Sequence, residues 1–283
     1  MTLINDEEFE QFFEPYAQNV DGFYEASYWR LCDEVVRELM RRHLHVQPDE
    51  HVLDAGGGTG RWARWTVREL GTRVTVADRS RAMLDQAAKS LTGAEAEDVA
   101  GKIELLRCDI EDAPELPSDS FDGLVSIYNM LSFNTDPGQA FATMHRVLKP
   151  GKHGLVMGQG FANALASKFN RDHASADEIR KLAETSIVQW APHVPALRVF
   201  SADALTELAT QAGFEVRGVF GVTSLITPEP EDFTYPYEKM SEISKSLDDP
   251  AIFEAALEQE LAVNGLPGWA DRGVNLIVHV YKP

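Results

Sequence analysis

His51-Val52-Leu53-Asp54 runs straight into Ala55-Gly56-Gly57-Gly58-Thr59-Gly60 and on into Arg61-Trp62-Ala63-Arg64-Trp65-Thr66-Val67. The first piece reads as a buried strand and the last as a helix, so the glycines make a strand-to-helix turn. Without a Cβ at Gly56, Gly58 and Gly60, the backbone can turn tightly and approach a ligand at the carboxyl end of the strand. A dinucleotide-binding turn, Gly-x-Gly-x-x-Gly, would place its third glycine at Arg61. Asp54, two residues before the first glycine, would meet a cationic or amine-bearing ligand and repel a pyrophosphate.

Downstream residues extend the pattern. Arg73-Val74-Thr75-Val76-Ala77 predicts a second strand ending in Asp78, whose carboxylate oxygens can accept both ribose hydroxyls of a cofactor. Arg79-Ser80-Arg81-Ala82-Met83-Leu84 follows. A third strand, Ile103 to Ile110, carries Asp109 near its end. Ser120 to Asn129 reads as a fourth strand leaving toward the site, and Gly154-Leu155-Val156-Met157 as a fifth, after His145-Arg146-Val147-Leu148-Lys149-Pro150-Gly151.

The acidic-x-Gly-x-Gly-x-Gly pattern resembles the first motif of the class I S-adenosylmethionine (SAM)-dependent methyltransferases of small molecules. Asp78-x-Ser80-x-x-Met83-Leu84 is similar to the second, and the Phe121-Asp122 entry and Arg-Val-Leu-Lys-Pro-Gly turn to later ones. The resemblance covers roughly residues 50 to 160. It implies SAM as cofactor, held by Asp54, Ala55, Gly56, Gly57, Gly58, Gly60, Asp78, Arg79, Met83, Asp109, Ile110, Tyr128 and Asn129. In that family the methionine packs on the adenine, although Met83 could equally be helix core, and the third acid accepts the adenine amino group. Two departures stand out: His153 replaces a small residue, and Tyr128-Asn129-Met130 matches no signature tied to one substrate.

The 283-residue chain has a formal charge of −19. Phosphate-neutralising surfaces need clustered Lys and Arg, so DNA and tRNA are poor candidates for partners. Two cysteines, Cys32 and Cys108, are too few for a disulfide framework or a Cys-rich metal site, and no metal is expected. Met1 to Glu8 lacks the features of a signal peptide, and no apolar run reaches spanning length; a cytoplasmic protein without a membrane partner is expected. Oligomeric state is not legible.

The expected fold is α/β: a Rossmann-like, seven-stranded, mostly parallel sheet with an antiparallel last strand, flanked by helices. One domain is expected, with a helical cap (1–46), a cofactor core (47–158) and a substrate side (159–283). In the cap, Asp6 to Tyr16 and Tyr24 to Leu44 are helical candidates, stopped by Val46-Gln47-Pro48. Related methyltransferases fold such a preface over the cofactor, and Tyr16, Tyr24, Tyr28, Trp29 and Phe133 are the candidates for lining the acceptor pocket. A polar detour runs from Gln159 to His193, Ser201 is placed to cap a helix, and Phe214–Val222 and Gly273–Tyr281 predict the last two strands. The 228–268 insertion, with a helix from Asp249 to Asn264, is too long for a structureless loop; a lid is preferred over packing.

SAM carries an electrophilic methyl group, and in-line transfer needs mostly alignment. Phenolic or ammonium acceptors would also need a base. Of the eight histidines, His173 and His193 are reachable candidates, while His153 lies at the wrong end of its strand; Tyr128 and Asn129 are better placed to touch the methyl group or acceptor. Two other readings stay open: a nicotinamide-dependent oxidoreductase, disfavoured by Arg61, and a SAM-binding protein that transfers no methyl group or assists another reaction.

Overall fold

The computed structural model describes residues 6–93, 96–170, 174–192 and 194–283. Its strands are β1 (His51–Ala55), β2 (Arg73–Asp78), β3 (Ile103–Arg107), β4 (Phe121–Ser126), β5 (Leu148–Gly160), β6 (Ile187–Val188), β7 (Leu197–Phe200), β8 (Glu215–Val222) and β9 (Asn275–Tyr281). The sheet runs β3-β2-β1-β4-β5 in parallel. β9 lies antiparallel against β5, and β8 antiparallel against β9. These are the seven expected strands. The difference is β6 and β7, inside the stretch read as a polar detour: β7 pairs with β5 at Gln159 and Gly160, and β6 with β7. β5 is correspondingly longer than its apolar run, which alone was visible in the sequence.

The helices are α1 (Asp6–Tyr16), α2 (Ser27–His43), α3 (Arg61–Leu70), α4 (Arg81–Ser90), α5 (Met130–Phe133), α6 (Pro137–Val147), α7 (Phe161–Asn170), α8 (Ala176–Thr185), α9 (Ala202–Gln211), α10 (Glu242–Leu247) and α11 (Pro250–Val263). Helices cover both sheet faces, so the central strands are apolar on both sides. Alternation sorts the residues: Val52, Val125 and Leu155 face α2 and α3, whereas Leu53, Leu124 and Val156 face α6 and α9. α2 repeats buried residues at helical spacing through Leu31, Val35, Leu39 and their neighbours, which fixes the face it presents. Ser201 caps α9, its Oγ accepting from the Ala204 amide at 3.1 Å.

The 228–268 insertion divides. Residues 230 and 232–235 face the cavity described below. α10 and α11 instead lie on α2, with Leu247 buried and Phe253, Leu257 and Leu261 packed on the main core. The Glu260 carboxylate, fully buried, accepts from the amides of Ser224, Leu225 and Ile226 at 2.7–3.0 Å. The lid expectation is therefore corrected for both helices: they are core, because their apolar residues join α2 rather than the cavity wall.

Candidate functional site

At the end of β1 the chain enters the left-handed region at Gly56 (φ 69°), Gly58 (φ 54°) and Gly60 (φ 70°), a conformation glycine adopts without cost. The turn is tied to β2: the Gly56 amide donates to the Ala77 carbonyl at 2.7 Å, and the Gly58 amide to Asp78 Oδ2 at 2.9 Å. A Cβ at Gly58 would meet only Met83 Sδ, 3.8 Å away, so this part of the turn faces open space. That space is a cavity of about 1430 Å³ across the carboxyl ends of the strands. One small-ligand cleft is typically about 300–1,000 Å³, so there is room for a cofactor and an acceptor together.

The expected cofactor residues mostly reach this cavity. Gly56, Gly57, Gly58, Asp78, Arg79, Met83, Asp109, Ile110, Tyr128 and Asn129 line it; Asp54, Ala55 and Gly60 do not. Asp54 sits behind the turn, where a Cβ on Gly57 would come within 2.6 Å of its carboxylate. Neither of its oxygens has a hydrogen-bond partner. Burial first, and the charge of Asp78 second, push its pKa up to about 7. The direct meeting with a cationic ligand expected of Asp54 is thus replaced by a place beneath the backbone that would make it. Asp78 also accepts from the Ser80 amide at 2.8 Å. Burial raises its pKa against those two amide bonds. Asp109 receives the Glu111 amide on one oxygen and Arg79 on the other, at 3.0 and 3.4 Å.

β4 leaves the sheet through Tyr128 (φ 62°) and Asn129 (φ 76°), successive non-glycine residues in the left-handed region. Such conformations cost roughly 1–3 kcal/mol each and cluster at functional sites. The Tyr128 hydroxyl donates to Asp33 Oδ1 at 2.7 Å, and Asp33 also holds Arg61 in a two-point ion pair. Arg61 lies over the Tyr24 ring, 4.6 Å from its centre, and Tyr24 packs 4.7 Å from Tyr128. Burial first and Asp33 second hold the Tyr128 phenol well above its ordinary range, so it remains a donor rather than a base. Burial opposes the Arg61 charge, but Asp33 more than offsets it. Arg61, which the sequence marked only as a missing glycine, is thus the cationic centre of this wall. Asp33 was missed; the signal was an acid four residues after Trp29 on an otherwise apolar helix flank.

Of the acceptor-side candidates, Tyr16, Tyr24 and Phe133 line the cavity. Tyr28 is the correction: it is fully buried among α2's core contacts, its hydroxyl 3.0 Å from Thr223 Oγ1. Its neighbour Trp29, also a candidate, does line the cavity, donating to the Asp232 carbonyl at 2.6 Å. Phe9, Phe12 and Phe13 of α1 also face the cavity, with Arg79 3.6 Å from the Phe9 ring centre. His173 and His193 lie outside the described residues. Among the described residues no histidine lines the cavity, and no helix is long and apolar enough to cross a membrane.

Asn129 Oδ1 and Trp62 Nε1 are among the buried polar atoms at the cavity that have no partner among the described residues. With the glycine turn open on its ligand side, they fit a nucleoside cofactor carrying a polar tail. Fold and turn together define an α/β protein with room for an adenosyl cofactor at the carboxyl ends of its strands.

Comparison with known proteins makes the class specific. Residues 52–151 match the family model described as a methyltransferase domain. An O-methyltransferase of Pyrenophora dematioidea is 28% identical over 224 residues, 73% of each chain. Methyltransferase GfsG of Streptomyces halstedii is 32% identical over 139 residues, 48% of this chain; the chain spans about half the length of that relative, 45%. A solved SAM-dependent methyltransferase of Thermotoga maritima, described as a possible histamine N-methyltransferase, superimposes with a TM-score of 0.57 at 19% identity, over 98% of this chain and 99% of that one. Residues 52–151 thus match a methyltransferase domain, and the chain as a whole is similar to SAM-dependent methyltransferases.

Proposed function

We propose that the protein transfers the methyl group of SAM to an oxygen, nitrogen or carbon of a small molecule held beside the cofactor. The observation that carries this reading is one cavity, about 1430 Å³, lined by the glycine turn, Asp78 and Asp109 on one side and by aromatic rings on the other. Gly56–Gly58 would hold the tail of the cofactor, Asp78 its ribose, and Met83, Asp109 and Ile110 its adenine. When bound, SAM supplies a methyl group already activated on sulfur. The protein's share is placement: Tyr128 and Asn129, fixed by strained backbone and by Asp33, stand between the two halves. α1 and residues 230 and 232–235 exclude water. Alignment of this kind can supply much of a rate enhancement without a base. The acidic surface fits a small acceptor better than a nucleic acid, and two buried free thiols fit the cytoplasm.

Titration calorimetry with SAM, S-adenosylhomocysteine (SAH) and NAD tests the binding, and mass spectrometry for SAH and a methylated acceptor tests the transfer. Asp78→Ala is expected to weaken SAH binding by about 1–3 kcal/mol, the cost of hydroxyl donors left without a charged acceptor. An unchanged affinity would remove Asp78 from the site, and preference for NAD would overturn the reading.

A further inference from the structure

Asn275 opens β9 and lies directly across from Gln159 of β5, at the end of the cavity beyond β4 from the glycine turn. Its side chain is 2% exposed, lines the cavity, and leaves Oδ1 without a partner. Gln159 opposite does not supply one: its side chain accepts from Trp190 Nε1 through Oε1 at 3.0 Å, its backbone amide donates to Ser132 Oγ at 3.0 Å, and Asn275 Oδ1 is left alone. A buried amide oxygen without a partner is rare in folded proteins and calls for a group outside the chain to complete it.

The surroundings restrict what that ligand is. Phe133, Trp190, Leu197 and Val274 wall this half, and Phe233 stands half-exposed at its rim. Of the charged lining residues beside the aromatic walls, Arg61 over Tyr24 is held by Asp33 in a two-point ion pair, and the other, beside Trp29, is Asp232. Its carboxylate is already spent on the hydroxyls of Ser241 and Ser244 and on the Glu229 amide. Nothing there neutralises a phosphate, a carboxylate or an ammonium group, and a buried unpaired charge is costly. Aromatic walls favour flat, apolar bodies. A hydroxyl, both donor and acceptor, satisfies the Asn275 amide.

We infer that Asn275 is a specificity-determining residue: it hydrogen-bonds a hydroxyl of an uncharged, ring-bearing acceptor that fills the aromatic half of the cavity and is turned by that bond toward the transferred methyl group. The inference rests on the methyl-transfer reading above. A site built to bond a substrate hydroxyl discriminates strongly against analogues lacking it, because its own polar group is then stranded.

The test assays the full chain with SAM against two panels: uncharged hydroxylated ring compounds from 1-naphthol to steroid size, and small charged acceptors (amines, amino acids, phosphorylated bases). SAH formation is followed by mass spectrometry. Turnover is expected with the ring compounds. Asn275→Leu should lower kcat/KM on them at least tenfold, mainly through KM, with the Kd for SAH moving less than threefold. Asn275→Thr, which keeps an uncharged oxygen on a side chain of similar size, should fall less than Asn275→Leu. If the Leu variant lacks a cooperative melt, Asn275→Ala replaces it. Turnover confined to charged acceptors, or none in either panel while SAH binds, overturns the acceptor class. A Leu or Ala variant within threefold of wild type on ring compounds overturns the role of Asn275; both results leave the cofactor reading standing. Failure of the wild type to bind SAH would instead remove the methyl-transfer reading itself.

Discussion

α1 and the α10–α11 pair both lie outside the sheet, and both looked from the sequence like covers for the site, yet they are held by different contacts. Phe9 and Phe13 of α1 pack with Met83 and Phe133, in a small cluster separate from the main core and made of cavity walls. α10 and α11 pack on α2 and through it on the sheet. Their polar contacts reinforce this: the Tyr28 amide donates to Ser244 Oγ at 3.2 Å, Ser27 bonds Asp248, and Glu260 satisfies three backbone amides. What separates a mobile cover from a structural layer is which cluster its apolar residues join, not its place in the chain.

The largest effect that would break this distinction comes from deleting residues 238–268 and bridging with a short Gly/Ser linker. The expected product has no cooperative thermal transition and loses SAH binding and activity together, because the deletion uncovers α2 and leaves buried amides unpaired. A folded product that bound SAH normally would restore the lid reading for both helices. Glu260→Ala sharpens the point with one residue. Each unsatisfied buried amide costs about 1–3 kcal/mol. The Ser224 amide is buried and those of Leu225 and Ile226 only partly so, which makes the expected loss in urea denaturation about 1–3 kcal/mol; a loss under 1 kcal/mol would show that the carboxylate is not structural.

Truncation of residues 1–18 makes the opposite prediction. The remaining chain keeps its main core, so a cooperative melt should persist, but the cluster over Met83 disappears. SAH affinity is expected to fall about tenfold, or ~1.4 kcal/mol. A truncated chain that fails to fold would place α1 with the core and erase the comparison.

The legible parts of the molecule were those in which local chemistry fixes local geometry. The glycine run announces β1, the turn and α3, because only glycine tolerates three left-handed positions there without cost. Acids at Asp78 and Asp109 mark strand tips for the same local reason. Hidden were contacts made by tertiary packing. Asp33, twenty-eight residues before Arg61, pairs with it only because α2 docks beside α3. Asn275 and Gln159 face each other through sheet register, which no short window carries. Tyr28 and Trp29 are adjacent aromatics on one helix, and a rotation of one residue decides which is core and which is wall. β6 and β7 are too short for alternation to stand out from the polar stretch around them.

The smallest expected effect concerns pH and compares the sheet's two ends, the cavity end under α1 and the end nearest the carboxyl terminus of α2. At the first, Asp54 has its pKa raised to about 7. At the second, His279 of β9 shares a hydrogen bond with His153 at 2.9 Å and lies near His43 and His45. Burial first, then the charges of His43, His153, His45 and Arg217, lower its pKa to about 3. The signs oppose. Between about pH 4 and 7 the folded chain holds a proton on Asp54 that the unfolded chain has released, so this group makes stability fall as pH rises. Between about pH 3 and 6.5 the unfolded chain binds a proton that folded His279 refuses, so this group makes stability rise with pH, fully present above 6.5 and lost on acidification. Urea denaturation of wild type from pH 4.5 to 6.5 should therefore give a flatter profile than either single variant. Asp54→Asn, with the acid removed, is expected to gain stability steadily with pH across that window, whereas His279→Leu should lose it. Parallel profiles for both variants would show that the two ends of the sheet do not titrate independently.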